Sequence, residues 1–164
     1  MTTKNEQANQ VIENHVWFAT VPGLIPFPVL DVIGITAVQL DMVKQLCKVY
    51  GKDYDEQKGK ALTLSLFSTV GGRLPAYFLR AGLKAIPVVG SILGGVSLAG
   101  FAQASTYATG VVFKEHFAKG GTLNDLNPDS FRKFYEQQFQ RSQERFLDWK
   151  KMQEQEMKKD EEQE

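Results

Sequence analysis

Residues that bind metals or form disulfides are scarce in this 164-residue sequence, which has one cysteine, Cys47, and two histidines, His15 and His116. A single cysteine excludes an internal disulfide and a metal site built from cysteines alone. The histidines stand 101 positions apart and neither belongs to an HExxH motif. We therefore expect solvated or helix-end histidines and no metal site. Cys47, close to Leu46 and Val49, is predicted to be a small buried side chain rather than a nucleophile.

An excess of one charge is also missing, because 19 basic residues balance 19 acidic ones. A general nucleic-acid binder needs a basic surplus to displace counterions, so nucleic acid is not an expected partner. The pairs Gly71-Gly72 and Gly94-Gly95 lack the pattern of a phosphate-binding loop and stand in helical surroundings. The polar first ten residues lack the basic start and apolar run of a signal peptide. We expect no enzyme activity, no catalytic residue and no cofactor.

Charged residues are few in the middle of the chain, with 13 in residues 16–113 against 17 in residues 131–164. The stretch 85–113 has no charge over 29 residues, and about twenty apolar residues span a bilayer. Small residues on a helix allow a second helix to approach closely, as is common in membranes. Within this stretch we expect such packing at Gly94, Gly95 and Gly100.

Apolar periodicity and Gly/Pro breaks predict an all-α protein. The predicted helices cover residues 5–20, 28–50, 58–81 and 87–117, and a last helix begins at Asn127. Gly51 is expected to end the second helix, and Gly120-Gly121 the region of the fourth.

The last helix carries its own start signal, with Asn127 as N-cap, Pro128 in the first turn and Asp129 at the positive end of the helix dipole. Beyond Met152 the sequence is almost entirely Glu, Lys and Gln, so we expect that end to fray or to project as a lone helix. Its apolar positions form one stripe: Phe131, Tyr135, Phe139, Phe146 and Trp149.

The two predicted helix corners resemble each other, since Pro26 and Pro87 lie 61 positions apart, as do Gly34 and Gly95. This indicates an internal duplication, with chance similarity of two Gly/Pro corners as the alternative. Two helix–corner–helix hairpins would form a four-helix unit, in a domain over 1–121 followed by a linker and charged amphipathic helix over 122–164. The corner residues are Gly23, Ile25, Pro26 and Pro28 in the first copy, and Gly82, Ile86, Pro87 and Gly90 in the second.

Asp31 is the polar residue that stands out near the first corner. Its expected role is to cap backbone donors at the start of the second helix. The alternative is a buried charge at a helix or subunit contact, paired with Arg80, with Gln39 extending a polar seam two turns further on.

Three arrangements relative to a membrane stay open, because only the fourth helix is free of charge over a bilayer's thickness. In the first arrangement, the hairpins insert as packed pairs, with Asp31 facing Arg73, Arg80 or Lys84. Alternatively, the apolar corners dip into the bilayer as re-entrant wedges. In the third arrangement the protein is soluble and the fourth helix is its buried centre.

Several of these motifs resemble the bacterial domain-of-unknown-function family 697, over about residues 10–118. The family's GxIPxPxxD corner, Q-L-x-M helix, Y-G stop, P-x-x-G corner and T-x-x-x-G helix are matched in order by Gly23, Ile25, Pro26, Pro28 and Asp31; Gln39, Leu40 and Met42; Tyr50 and Gly51; Pro87 and Gly90; Thr106 and Gly110.

The resemblance implies an uncharacterised domain whose members are often fused to, or encoded beside, GTPase domains and are often described as membrane proteins. This chain has no GTPase motif, so a GTPase would be a separate protein, and the tail after residue 131 is expected to lie outside the family core. We expect a non-enzymatic scaffold at the cytoplasmic face of the bacterial inner membrane that binds a partner or itself. The alternatives are a membrane-active oligomer or channel, with Asp31 and Gln39 along a polar path, and a soluble, cytoplasmic interaction module.

Overall fold

The computed structural model describes residues 2–20, 32–71 and 98–161, and within these ranges the regular structure is entirely helical. This confirms the all-α prediction. The helices are α1 (Lys4–Thr20), α2 (Val32–Tyr50), α3 (Glu56–Gly71), α4 (Leu98–Ala118) and α5 (Pro128–Glu161).

Short side chains cap the beginnings of the helices. At α1, Thr3 and Glu6 form a capping box: the Glu6 amide donates to Thr3 Oγ1 at 3.2 Å, and the Thr3 amide donates to Glu6 Oε2 at 2.7 Å. Asp55 caps α3 by accepting the Lys58 amide at 2.8 Å, so this helix begins two residues before the predicted position 58. At α5, Asn127 Oδ1 accepts the Asp129 amide at 3.0 Å, which confirms the predicted N-cap.

Two glycines in the left-handed conformation end α2 and α4. Gly51 has φ +65°, and the Lys52 amide donates to the Cys47 carbonyl at 2.8 Å. Gly120 has φ +94°, and the Gly121 amide donates to the His116 carbonyl at 3.0 Å. Both ends are Schellman motifs, which glycine favours because it has no Cβ. The predicted stop at Gly51 is confirmed.

Helix α4 lies at the centre of the fold and packs against each of the other described helices. It runs antiparallel to α1, since Lys114 Nζ donates to Asn9 Oδ1 at 2.7 Å, while Trp17 lies beside Gln103 further along. It runs parallel to α2, since Gln39 contacts Ser105 and the helix ends are close at Lys52 and Gly120.

Helix α3 is antiparallel to α4, because Lys58 contacts Asn124 just past α4 while Phe67 packs edge-on against Phe101 near its beginning. The end of α1, the end of α3 and the beginnings of α2 and α4 therefore lie at one end of the bundle, which we call the Trp17 end.

Aromatic side chains fill the core between α4 and its neighbours. Phe101 packs against Phe139 of α5 with ring centres 5.3 Å apart, and Phe113 lies 5.7 Å from Phe117. Tyr135 and Phe139 are buried, whereas Phe131 is half-buried and Trp149 is 48% exposed. The predicted stripe of α5 is therefore buried or half-buried from Phe131 to Phe146, which is 9% exposed, and is exposed only at Trp149. Residues 151–159 are exposed yet helical, so this end projects as a lone helix.

Several sequence predictions concern residues outside the described ranges, and they stay predictions. The hairpin arrangement and the domain division at residue 121 are likewise untested. The predicted site residues concerned are Gly23, Ile25, Pro26, Pro28, Asp31, Arg80, Gly82, Ile86, Pro87, Gly90, Gly94 and Gly95.

Candidate functional site

A cluster of neutral polar side chains lies buried between α2 and α4. Gln39 Nε2 donates to Ser105 Oγ at 3.2 Å and reaches Thr106 Oγ1 at 3.5 Å. The Thr109 hydroxyl donates to Gln39 Oε1 at 3.4 Å. All four side chains are fully buried. Buried amides and hydroxyls are tolerated when they are hydrogen-bonded to one another, so this cluster fixes α2 on one face of α4.

Helix α5 completes this polar seam, which we define as Gln39, Ser105, Thr106, Thr109 and Tyr135. The Tyr135 hydroxyl contacts the Ser105 carbonyl at 3.5 Å, and burial raises the pKa of this phenol. About two turns beyond Tyr135, a second polar pair joins α5 to α4. There the Ser142 hydroxyl donates to Gln103 Oε1 at 3.1 Å. Gly100, one of the small residues predicted to pack closely, is buried on α4.

The chemistry of the polar seam is that of a packing contact. Hydroxyls, an amide and a phenol with a raised pKa include no base that could activate a nucleophile near neutral pH. Cys47 is no better suited, because burial raises the pKa of its thiol to about 11. It is fully buried, as predicted.

A second cluster joins α1 to α2 through His15, which is only 7% exposed. Its Nδ1 lies 2.7 Å from the Val11 carbonyl and its Nε2 lies 3.0 Å from Asp41 Oδ2. A doubly protonated ring donates to both acceptors. Gln45 Nε2 also donates to Asp41, at 2.7 Å. The hydrogen bond from His15 holds the pKa of Asp41 below its usual value of 3.8.

The prediction of a solvated or helix-end ring is wrong for His15 and confirmed for His116. His15 is buried because its partner Asp41, 26 positions away in sequence, lies on the neighbouring helix. His116 lies in the last turn of α4, where its Nε2 is 2.9 Å from the Thr122 carbonyl. Its ring occupies the space that a Cβ on Gly121 would need.

A surface groove with aromatic walls lies between α1 and α5, over α4. It has a volume of about 370 Å³, and an arginine on its rim, Arg145, stacks over Tyr107 at 4.9 Å from the ring centre. Phe146 and Trp149 are 5.9 Å apart at their ring centres. We call this the aromatic groove; its lining residues are Glu13, Val16, Trp17, Gln103, Tyr107, Arg145, Phe146 and Trp149.

Gln39 is predicted from sequence as a polar position, whereas its partners, the His15–Asp41 pair and the aromatic groove appear only in the structure. Within the described parts of the chain, no three His, Cys, Asp or Glu side chains lie close enough together to hold a metal ion. In those same parts, no helix has both the length and the apolar character needed to cross a bilayer.

A family model, "Domain of unknown function (DUF697)", matches residues 1–144. This range is wider than the expected residues 10–118 and takes in the part of α5 that packs on the core, so the expectation that everything after residue 131 lies outside the family is wrong.

A relative from Magnetospirillum gryphiswaldense, named "Magnetosome membrane protein 22", is 36% identical over 135 residues, which is 82% of this chain and 69% of the relative. No solved structure is significantly similar. Since the family model covers most of the sequence, the chain belongs to the DUF697 family.

Proposed function

We propose that this protein is a non-enzymatic helical scaffold that associates with the cytoplasmic face of a bacterial inner membrane and holds a protein partner there. A separate GTPase is the first candidate for that partner, as the family resemblance implies. The name of the relative from Magnetospirillum gryphiswaldense, a membrane protein, supports the membrane part of the proposal.

The observation that carries the membrane assignment is the exposure of large aromatic side chains at the Trp17 end. Trp17 is 62% exposed and Phe18 is 64% exposed, next to the point where α1 ends. The sequence is uncharged from Val16 to Leu30, and α4 begins within the uncharged stretch 85–113. Uncharged sequence thus follows α1 and precedes α4 at the end of the bundle where the aromatic rings are exposed.

A scaffold role is supported by how the polar groups of the described core are used. Gln39 satisfies both ends of its amide within the bundle, so it stabilises helix packing rather than facing a substrate or a polar path. This arrangement favours a scaffold over an enzyme or a channel.

Fractionation of cells that express the full chain tests the proposal. We expect the protein to sediment with membranes, to stay there through a carbonate wash and to be released by detergent. A soluble cytoplasmic protein and an integral inner-membrane protein serve as controls in the same gradient. Recovery in the soluble fraction before any wash would overturn the membrane assignment.

A further inference from the structure

We propose that the aromatic groove and the adjoining Phe18 form the surface by which the helical bundle lies in the headgroup region of a lipid bilayer. This inference rests on the proposed membrane association and names one surface that contacts the lipid. Its occupant is the lipid interface itself, rather than a protein helix.

The exposed side chains have the chemistry of an interface. Trp17 and Trp149 line the same groove and are 62% and 48% exposed, and Phe18, the residue after Trp17 on α1, is 64% exposed. Indole rings combine an apolar body with one N–H donor, and they concentrate where hydrocarbon meets headgroups. Exposed aromatic residues that converge from two helices on one site are more than scattered surface apolar groups.

The charges around the groove determine how deeply we expect this surface to enter the bilayer. Two charged residues line the groove, Glu13 with a negative charge and Arg145 with a positive one. A balanced set gives no preference for anionic lipid. Asp148 and Lys150 flank Trp149 on either side, and charges do not enter hydrocarbon without a large cost, so insertion stops at the headgroups.

The position of the groove in the chain agrees with this orientation. Trp17 stands four residues before the first position outside the described range 2–20, and α4 starts at the same end of the bundle. At this end of the bundle, the sequence stays uncharged past α1 to residue 30, and uncharged sequence from residue 85 leads into α4.

Tryptophan fluorescence tests the proposal directly, because Trp17 and Trp149 are the two tryptophans of the sequence. The full chain is bound to vesicles of phosphatidylcholine, and to vesicles of phosphatidylcholine with an equal amount of phosphatidylglycerol. Flotation of the vesicles shows whether the protein is bound. Single-tryptophan variants Trp17→Phe and Trp149→Phe separate the two signals, and spin-labelled lipids quench them from known depths.

We expect both tryptophans to shift to the blue, and labels near the headgroups to quench them more strongly than labels at the chain ends, equally in the two lipid mixtures. Phe18→Ser should weaken this quenching, whereas Met157→Ser, which changes a 58% exposed apolar residue on the α5 tail, should leave it unchanged.

Floating protein whose tryptophans are not quenched would overturn this inference and leave the proposed function standing. That result is also expected if the groove binds a protein helix. Protein that does not float would overturn the proposed function itself.

Discussion

The hydrogen bonds that join α2 to α4 in the polar seam all depend on one side chain, the amide of Gln39. Gln39→Met keeps the approximate volume but leaves the hydroxyls of Ser105, Thr106 and Thr109 without the amide. Buried polar groups that lose their partner cost about 1–3 kcal/mol, so we expect the free energy of unfolding to fall by that amount. Denaturant titration followed by circular dichroism measures it.

The matched control is Gln140→Met, the same chemical change at an exposed position of α5. Its effect is expected to stay within about 0.5 kcal/mol. Equal stabilities for the two variants would mean that the seam contributes nothing to the fold.

The pair His15–Asp41 makes stability depend on pH in a defined direction. Because the pKa of Asp41 in the folded chain lies below 3.8, its contribution is present at neutral pH and disappears as pH falls through that lowered value. Asp41 is 59% exposed on its side chain, so the contribution is at most about 1 kcal/mol. We expect Asp41→Asn to destabilise the chain at about pH 6 and to differ from the parent much less at about pH 2.

Asp53→Asn is the control for the pH series, since Asp53 is an exposed aspartate in the α2–α3 connection. Its difference from the parent should vary much less between the two pH values. A penalty for Asp41→Asn that is the same at both would refute the assignment of this ion pair.

At the scale of the helices, the crossing of α4 over α1 and α2 depends on Gly110. A Cβ placed there would lie 2.7 Å from Ile12 Cγ1 and 3.0 Å from Met42 Sδ. We therefore expect Gly110→Ala to reduce the free energy of unfolding by about 1–3 kcal/mol, the usual cost of overpacking, despite the better helix propensity of alanine.

A double-mutant cycle separates this close approach from a general effect of alanine. Ile12→Ala removes the nearest clashing atom, so the double variant should lose less stability than the sum of the two single changes. Strict additivity would show that the helices do not cross closely at Gly110.

Helix ends were predictable from sequence where their signals are local. Gly51 and Asn127 mark such ends by their own conformational preferences, and the structure agrees. Helix α3 begins two residues before the predicted start because Asp55 caps it. Partners could not be predicted, since the contact of His15 with Asp41 depends on which helices become neighbours.

The same limit applies to the candidate sites. Gln39 could be identified as a polar position on an apolar helix, but Ser105 and Thr109 lie 66 and 70 positions further along the chain. Trp149 belonged to an apolar stripe by its spacing, yet α5 leaves the core before reaching it. Periodicity finds the face of a helix but does not say where its neighbour ends.

For the whole molecule, the long α5 helix consists of a packed part over residues 128–150 and a projecting end that begins at residue 151. Its 34 residues span about 50 Å at 1.5 Å per residue. Tyr135 and Phe139 hold the first half on α4, whereas residues 151–159 are exposed. A charged helix held this firmly at its base presents a defined surface to a partner, which a flexible tail would not.

The projecting end of α5 is therefore where we expect a change to abolish partner binding without loss of the fold. Deletion of residues 151–164 should leave the free energy of unfolding and the membrane fraction unchanged, because residues 151–159 make no buried contact. Crosslinking in cells, followed by quantitative mass spectrometry, should show a GTPase enriched with the full chain and depleted with the truncated one. The double variant Met152→Ser and Met157→Ser keeps the helix and its charges, so retained capture would assign recognition to the charged face. The same partners at the same abundance with the truncated chain would contradict a presenting role for α5.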